Sequence, residues 1–182
     1  MVKNHERKRS PPMKKLLSLL LIVCLLLPVA ALAESAPVTK VGQHLCLPND
    51  ARAFAVITVV LQDDVIIAAY IDEFQFQSAE GYIGVPGSDA ALGQNFAEDQ
   101  VLASKRVNNE AYSALMAAYA GSTVSIADNY DAIQAFVVGK TVADLEALLT
   151  SGENVVDAVS GATLVATPGY LQGIIDAAKA AK

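Results

Sequence analysis

Residues 54–76 read FAVITVVLQDDVIIAAYIDEFQF, and this stretch decides the fold of the chain. Both halves are rich in β-branched residues, and apolar side chains fall on both alternating faces of each half. Asp63 and Asp64 form a polar break between the halves, which is typical of a tight turn. The pattern predicts an antiparallel hairpin. Because both faces are apolar, it also predicts that each strand is covered on two sides.

Helical periodicity dominates the chain after this hairpin, beyond a glycine-rich loop at 78–93. Apolar residues recur at helical spacing in several later segments, and each segment has a capping or terminating residue beside it. The predicted helices are 110–120, 128–138, a short helix capped by Thr141, and a terminal helix capped by Thr167 with Pro168 at its first position. A hairpin followed by helices predicts a single α+β domain, in which an N-terminal antiparallel hairpin or small sheet packs against several α-helices.

The first 33 residues have the pattern of a secretory signal peptide. Lys14 and Lys15 precede an almost unbroken apolar run at 16–27, and Ala31-Leu32-Ala33 is the small-x-small pattern that a signal peptidase cleaves. We therefore expect residues 1–33 to be a signal peptide, 34–50 to be a linker and 51–182 to be the folded domain. Export implies a location outside the cytoplasm, at the extracellular or periplasmic face of the cytoplasmic membrane.

Alternatives to cleavage remain open at this stage. The apolar run is about long enough to span a bilayer as an uncleaved anchor, although Pro28 interrupts it. Cys24 could carry a lipid, but it lacks the small residue before it and the polar exit after it that a lipidation site requires. Met13 could be the true start of the protein. The sequence does not choose between Met1 and Met13.

Composition excludes several classes of function. Residues 34–182 carry 7 Lys and Arg against 18 Asp and Glu, a formal net charge of −11, and so acidic a chain repels nucleic acid. His44 is the only histidine in this part, so histidine-based metal sites and hydrolase triads lack their components. Cys46 is its only cysteine, which excludes an internal disulfide.

One short segment carries specific chemistry. Residues 157–163 read DAVSGAT, in the form Asp-x-x-Ser-Gly-Ala-Thr. This segment resembles the acceptor motif of covalent FMN-binding domains, which occur in sodium-pumping quinone reductase, in Rnf-complex subunits and in small exported flavoproteins. The similarity extends to the segment 128–141 upstream and to the closing helix downstream. The glycine-rich strand of that family is not recognisable in the N-terminal part.

The resemblance implies a site and a cofactor. A flavin transferase would attach FMN through a phosphoester bond to Thr163, and Asp157 would belong to the recognition site of that transferase. Ser160, Gly161 and Ala162 would form a turn whose backbone N–H groups bind the phosphate. The start of the terminal helix could add its positive dipole end.

The function that the resemblance implies is electron transfer rather than independent enzymatic turnover. The protein would pass electrons between a membrane redox donor and an external acceptor. Tyr130, Phe136 and Tyr170 are candidates to line the flavin ring, although aromatic residues at such positions more often lie in the core. Two alternatives stay open: a non-redox surface or cell-wall interaction domain that keeps the fold without flavin, and a flavin-dependent reductase.

Overall fold

The predicted hairpin lies at the centre of a four-stranded antiparallel sheet. The computed structural model describes residues 36–182. The strands follow one another in the order β1-β2-β3-β4. They are β1 (Thr39–Cys46), β2 (Ala53–Gln62), β3 (Val65–Ser78) and β4 (Gln100–Ser104). The predicted signal peptide, 1–33, lies outside the described residues.

Five helices complete the described part of the chain, and they follow the sheet in sequence. They are α1 (Asn109–Ala120), α2 (Ile126–Val137), α3 (Val142–Thr150), α4 (Val155–Ala158) and α5 (Thr167–Lys179). A 3-10 helix, Leu92–Asn95, lies in the loop that precedes β4. A sheet followed by helices confirms the α+β prediction for a single domain.

The hairpin between β2 and β3 has the predicted turn. Gln62 pairs with Val65, so that Asp63 and Asp64 form a two-residue connection. Asp63 has a φ of 54°, a left-handed conformation that aspartate tolerates better than most residues. The register shifts by one residue between Val60 and Leu61, as at a β-bulge.

A strand of eight residues lies within the segment that the sequence predicted as a linker at 34–50. Strand β1 pairs with β2 along its whole length, from Thr39 opposite Gln62 to Cys46 opposite Ala55. Gly42 lies against α5, where an added Cβ would come within 1.8 Å of the carbonyl oxygen of Ala177. The linker prediction is therefore wrong for these residues. It failed because both faces of the strand carry polar residues, such as Gln43 and His44, and because a proline lies beyond each of its ends.

Within residues 36–182, helices cover only one face of the sheet. On β2 the inner residues Ala55, Ile57 and Val59 are fully buried, and α2 and α5 pack against this face. On the other face Leu45 and Tyr70 are exposed by 63% and 52%. The prediction that the strands are covered on both sides is therefore wrong within the described residues. Apolar patterning could not separate a covered face from an open one.

The helix ends depart from the predictions in two places. Helix α2 begins at Ile126, two residues before the predicted start, because Ser125 caps it by accepting a hydrogen bond from the N–H of Asp128. Thr167 is the first residue of α5 rather than its cap, since the chain already turns at Ala166. The Thr167 hydroxyl instead donates to the carbonyl of Leu164, at 2.6 Å.

Two other predicted helix ends are confirmed. Thr141 and Asp144 form a reciprocal capping box at the start of α3. The hydrogen bonds from Thr141 hold the pKa of the Asp144 carboxyl below its usual value. Gly121 ends α1 in the left-handed conformation that favours glycine.

Candidate functional site

The DAVSGAT segment forms an exposed turn that is anchored by two buried side chains. Asp157 lies in the single-turn helix α4, and the turn follows at Ser160 and Gly161. Val159 and Ala162 are buried, at 1% and 6% exposure. Thr163, next to the second anchor, is exposed. The segment is therefore fixed to the core on both sides of the turn, while the threonine remains accessible.

Glycine is required in this turn for two reasons. Gly161 has a φ of +90°, where side chains are strained. A Cβ at this position would also approach the Cβ of Ala132, on α2, to 3.3 Å. The turn can therefore lie close against α2 only with glycine at 161.

Asn129 fixes the position of Thr163. The Asn129 side chain is fully buried in α2, and its Oδ1 accepts the backbone N–H of Thr163 at 2.7 Å. The Thr163 hydroxyl donates to the same Oδ1 at a longer 3.3 Å. The Asn129 Nδ2 donates to the carbonyl of Ser125 at 2.9 Å and more weakly to that of Val124. A buried asparagine thus ties the start of α2 to the predicted acceptor residue.

Asn129 was not among the site residues that the sequence predicted. The signal was available, because Asn129 falls inside a predicted amphipathic helix on the side that holds Tyr130 and Ile133. A buried polar side chain needs hydrogen-bond partners. The sequence could not reveal that one of these partners is 34 residues away.

Of the three backbone donors that the sequence predicted near Thr163, only one is used: no hydrogen bond within residues 36–182 uses the N–H groups of Ser160 and Gly161. The N–H of Ala162 already donates to the carbonyl of Val159, at 3.1 Å. At the start of α5, the N–H groups of Thr167 and Gly169 are likewise occupied by carbonyls of the preceding turn. Among residues 36–182, however, no hydrogen bond uses the N–H groups of the three residues at 164–166. The available donors therefore lie on both sides of Thr163, at 160–161 and at 164–166.

Asp157, the predicted recognition residue, is exposed on α4. Its carboxylate accepts a hydrogen bond from the side chain of Asn154 at 2.8 Å. Asn154 also caps α4 by accepting from the N–H of Val156. Since both side chains are exposed, a modifying enzyme could reach the carboxylate.

A cleft of about 330 Å³ opens beside Thr163, and we name it the acceptor cleft. Its walls come from the end of α1 and the loop after it, from the β1–β2 loop and from the chain between Thr163 and α5. The lining residues are Asn49, Met116, Ala120, Gly121, Ser122, Thr123, Thr163, Leu164, Val165 and Ala166. The volume is at the lower end of the range for small-molecule sites. This volume suits the phosphate and sugar-alcohol chain of a flavin nucleotide. Leu164, Val165 and Ala166, whose N–H groups are available, line the cleft.

The aromatic residues predicted to line a flavin ring belong mostly to the core. Tyr130 and Tyr170 are 0% and 2% exposed, and their rings meet edge to face at 5.4 Å. Burial raises the pKa of both phenols far above the usual value. Phe136 is half-buried under Lys140, 4.3 Å from its ring centroid. Tyr130 and Tyr170 are therefore core residues, which is the interpretation that the sequence favoured, and neither reaches the surface.

A buried ionic cluster lies between the sheet and the helices. Glu73, 1% exposed, accepts hydrogen bonds on Oε2 from Lys105 at 2.7 Å, from Tyr170 at 2.6 Å and from Tyr130 at 2.9 Å. Its other oxygen, Oε1, has no partner among the described residues. Lys105 also lies over the ring of Tyr112, 4.6 Å from the centroid. No pattern in the sequence predicts this cluster, because its members come from β3, from the turn after β4 and from three separate helices.

The remaining chemical groups give no sign of a metal or thiol centre in residues 36–182. No group of three or more metal-ligating side chains is found there. Cys46 is half-buried, and burial together with the charges of Glu73 and Asp176 raises the pKa of its thiol to about 11. Such a thiol is protonated and unreactive at neutral pH. None of the helices in the same range has the length and apolar composition that a membrane span requires.

The fold and the site together define an α+β domain that presents an exposed threonine on an anchored turn. Comparison of the chain with protein-family models, curated proteins and solved structures found no match. The resemblance to covalent FMN-binding domains therefore depends on the DAVSGAT segment and its surroundings alone.

Proposed function

We propose that this protein is an exported flavoprotein electron carrier that holds FMN through a phosphoester bond to Thr163. The observation that supports the proposal best is the setting of this residue. Thr163 ends the DAVSGAT segment, its side chain is exposed beside a cleft, and its backbone is held by a buried asparagine. A residue that an enzyme must modify needs this combination of access and fixed position.

The attachment transfers the FMN moiety of FAD to the hydroxyl of Thr163. The bond between the Thr163 oxygen and the phosphorus of the FMN moiety forms, and the pyrophosphate bond of FAD breaks. AMP leaves, and the hydroxyl proton passes to the transferase. The hydroxyl gives up only its long hydrogen bond to Asn129, whereas the shorter bond from the Thr163 N–H remains. The turn can therefore keep its position after modification.

The residues after Thr163 fit the phosphate of the flavin. Leu164, Val165 and Ala166 follow Thr163 directly, and no hydrogen bond within residues 36–182 uses their N–H groups. Backbone N–H groups that follow one another in an irregular segment are typical donors to phosphate. Esterification reduces the phosphate charge from about two to one. The smaller charge is easier to accommodate in an acidic protein.

The cofactor would supply the redox chemistry, and the protein would supply attachment, position and electrostatics. Electrons would come from a membrane redox donor and pass to an external acceptor. A covalent bond is useful outside the cytoplasm, because a cofactor that dissociated there would be lost. The location follows from the predicted signal peptide at 1–33.

Co-expression of residues 34–182 with a flavin transferase tests the proposal. We expect yellow protein that keeps its colour after denaturation, with a mass gain of one FMN less one water. Thr163→Val should abolish both, because valine has a similar shape but no hydroxyl. The control variant is Thr123→Val, which removes a hydroxyl from the same acceptor cleft and should leave attachment intact.

Three results would contradict the proposal. Colourless wild-type protein would favour an interaction domain that keeps the fold without flavin. Colour that survives the Thr163→Val substitution would move the attachment to another residue. Steady turnover of a small substrate by the flavinylated protein alone would favour a reductase instead.

A further inference from the structure

The acceptor cleft continues into a second cleft along α1. The second cleft has a volume of about 450 Å³, and we name it the tyrosine cleft. Asn49, Met116 and Ala120 line both clefts, so the two share a boundary. A ligand attached at Thr163 can therefore extend from one into the other.

Helix α1 provides the common wall. Tyr112, Met116 and Ala120 follow one another at a spacing of four residues and lie on one side of the helix. These positions span about 12 Å of helix axis. The stripe leads from the acceptor cleft to Tyr112, which lies under the amino group of Lys105.

The tyrosine cleft has the chemical character of a site for a flat ring with polar atoms at its edge. Tyr112, Tyr119 and Met116 offer aromatic and thioether surfaces on which a ring can stack. Arg52 and Lys105 add two cationic side chains to the wall, and each is paired with a carboxylate, that of Asp50 and that of Glu73. Polar oxygen atoms at the edge of a heterocycle would find donors here.

The two cations differ in their surroundings. Lys105 is 6% exposed and bound to Glu73, whose second oxygen has no partner within residues 36–182. The side chain of Arg52 is 79% exposed and pairs with Asp50 at the surface. Arg52 can therefore turn toward a ligand at little cost, whereas Lys105 is fixed as part of the wall.

We propose that the tyrosine cleft receives the isoalloxazine ring of FMN attached to Thr163, with Tyr119 against the ring and Arg52 at its polar edge. The inference rests on the proposed function. It assigns to α1 and the β1–β2 loop a role that the DAVSGAT segment cannot supply. In this arrangement Tyr119 and Arg52, rather than the buried Tyr130 and Tyr170, contact the ring.

Substitutions at two exposed residues test the proposal without disturbing the core. Tyr119 is 85% exposed, so Tyr119→Ala should leave folding intact. Tyr70→Ala, on the open face of the sheet, is the matched control. On protein that carries one FMN by mass, Tyr119→Ala should raise quenching of flavin fluorescence by neutral acrylamide about threefold, the effect of losing one aromatic contact. Tyr70→Ala should not change it.

The charge at the ring edge is tested by the midpoint potential. Arg52→Gln should lower the potential of the attached flavin, because the positive charge near the reduced ring is lost. Lys179→Gln, which removes an exposed positive charge outside both clefts, should leave the potential nearly unchanged.

The outcomes separate this inference from the proposed function. Equal acrylamide quenching in wild type and Tyr119→Ala, or equal potentials in wild type and Arg52→Gln, would overturn the ring position while FMN attachment stands. Wild-type protein that gains no FMN mass would overturn both.

Discussion

At the scale of single residues, the site depends on a polar contact that crosses from α2 to the motif. Asn129 is buried and uses both ends of its amide, Oδ1 toward Thr163 and Nδ2 toward the start of α2. The threonine itself could be predicted, because the motif is continuous in sequence. The asparagine could not, because its role depends on packing between distant segments.

Replacing Asn129 should therefore affect both stability and attachment. Asn129→Leu keeps the approximate volume but leaves the Thr163 N–H and the carbonyls at the start of α2 without their partner. We expect a loss of about 1–3 kcal/mol in the free energy of unfolding, measured by urea denaturation. Flavin attachment should also slow, because Thr163 is no longer held.

A matched control is available at the surface. Asn154→Leu removes an exposed asparagine that caps the single-turn α4 and contacts Asp157. Its effect on stability should be smaller, since water can replace the exposed partners. Equal losses in the two variants would contradict the role assigned to Asn129.

At the scale of secondary-structure elements, β1 moves the start of the folded domain from the predicted residue 51 to residue 39. The hairpin and four of the helices could be predicted from periodicity and capping residues, with ends accurate to within about two residues. Strand β1 could not, because its outward side chains are partly polar and its inward positions include Gly42 and the half-buried Cys46. Its pairing with β2 and its contact with α5 are tertiary contacts, which the pattern of residues within β1 does not show.

Truncation tests the importance of β1. A chain that begins at residue 36 should fold like the full domain, whereas one that begins at residue 49 should not. The second chain loses the strand paired along β2, and it exposes a strand edge that favours aggregation. It also loses the backbone hydrogen bonds between Val41 and Lys182. Cooperative thermal unfolding of the shorter chain, followed by circular dichroism, would contradict this expectation.

At the scale of the whole molecule, charge should determine the redox behaviour. With a formal net charge of −11 for residues 34–182, the protein disfavours additional negative charge on a reduced flavin. We therefore expect the attached flavin to have a lower midpoint potential than free FMN, even with Arg52 nearby. Raising the salt concentration from about 0.01 M to about 1 M should raise the potential, because screening weakens the repulsion.

Free FMN in the same salt series is the control for this measurement. A potential above that of free FMN would show that local contacts outweigh the net charge. A salt response no larger than that of free FMN would indicate that the acidic surface does not act on the ring.

The proposed function depends on one covalent bond, between Thr163 and FMN, and peptide mapping tests this bond most directly. Tryptic cleavage of the co-expressed protein should release residues 141–179, which contain Thr141, Thr150, Thr163 and Thr167 as well as two serines. Tandem mass spectrometry should locate the FMN mass between Ala162 and Leu164. An unmodified peptide, or an FMN mass on any other hydroxyl, would contradict the account.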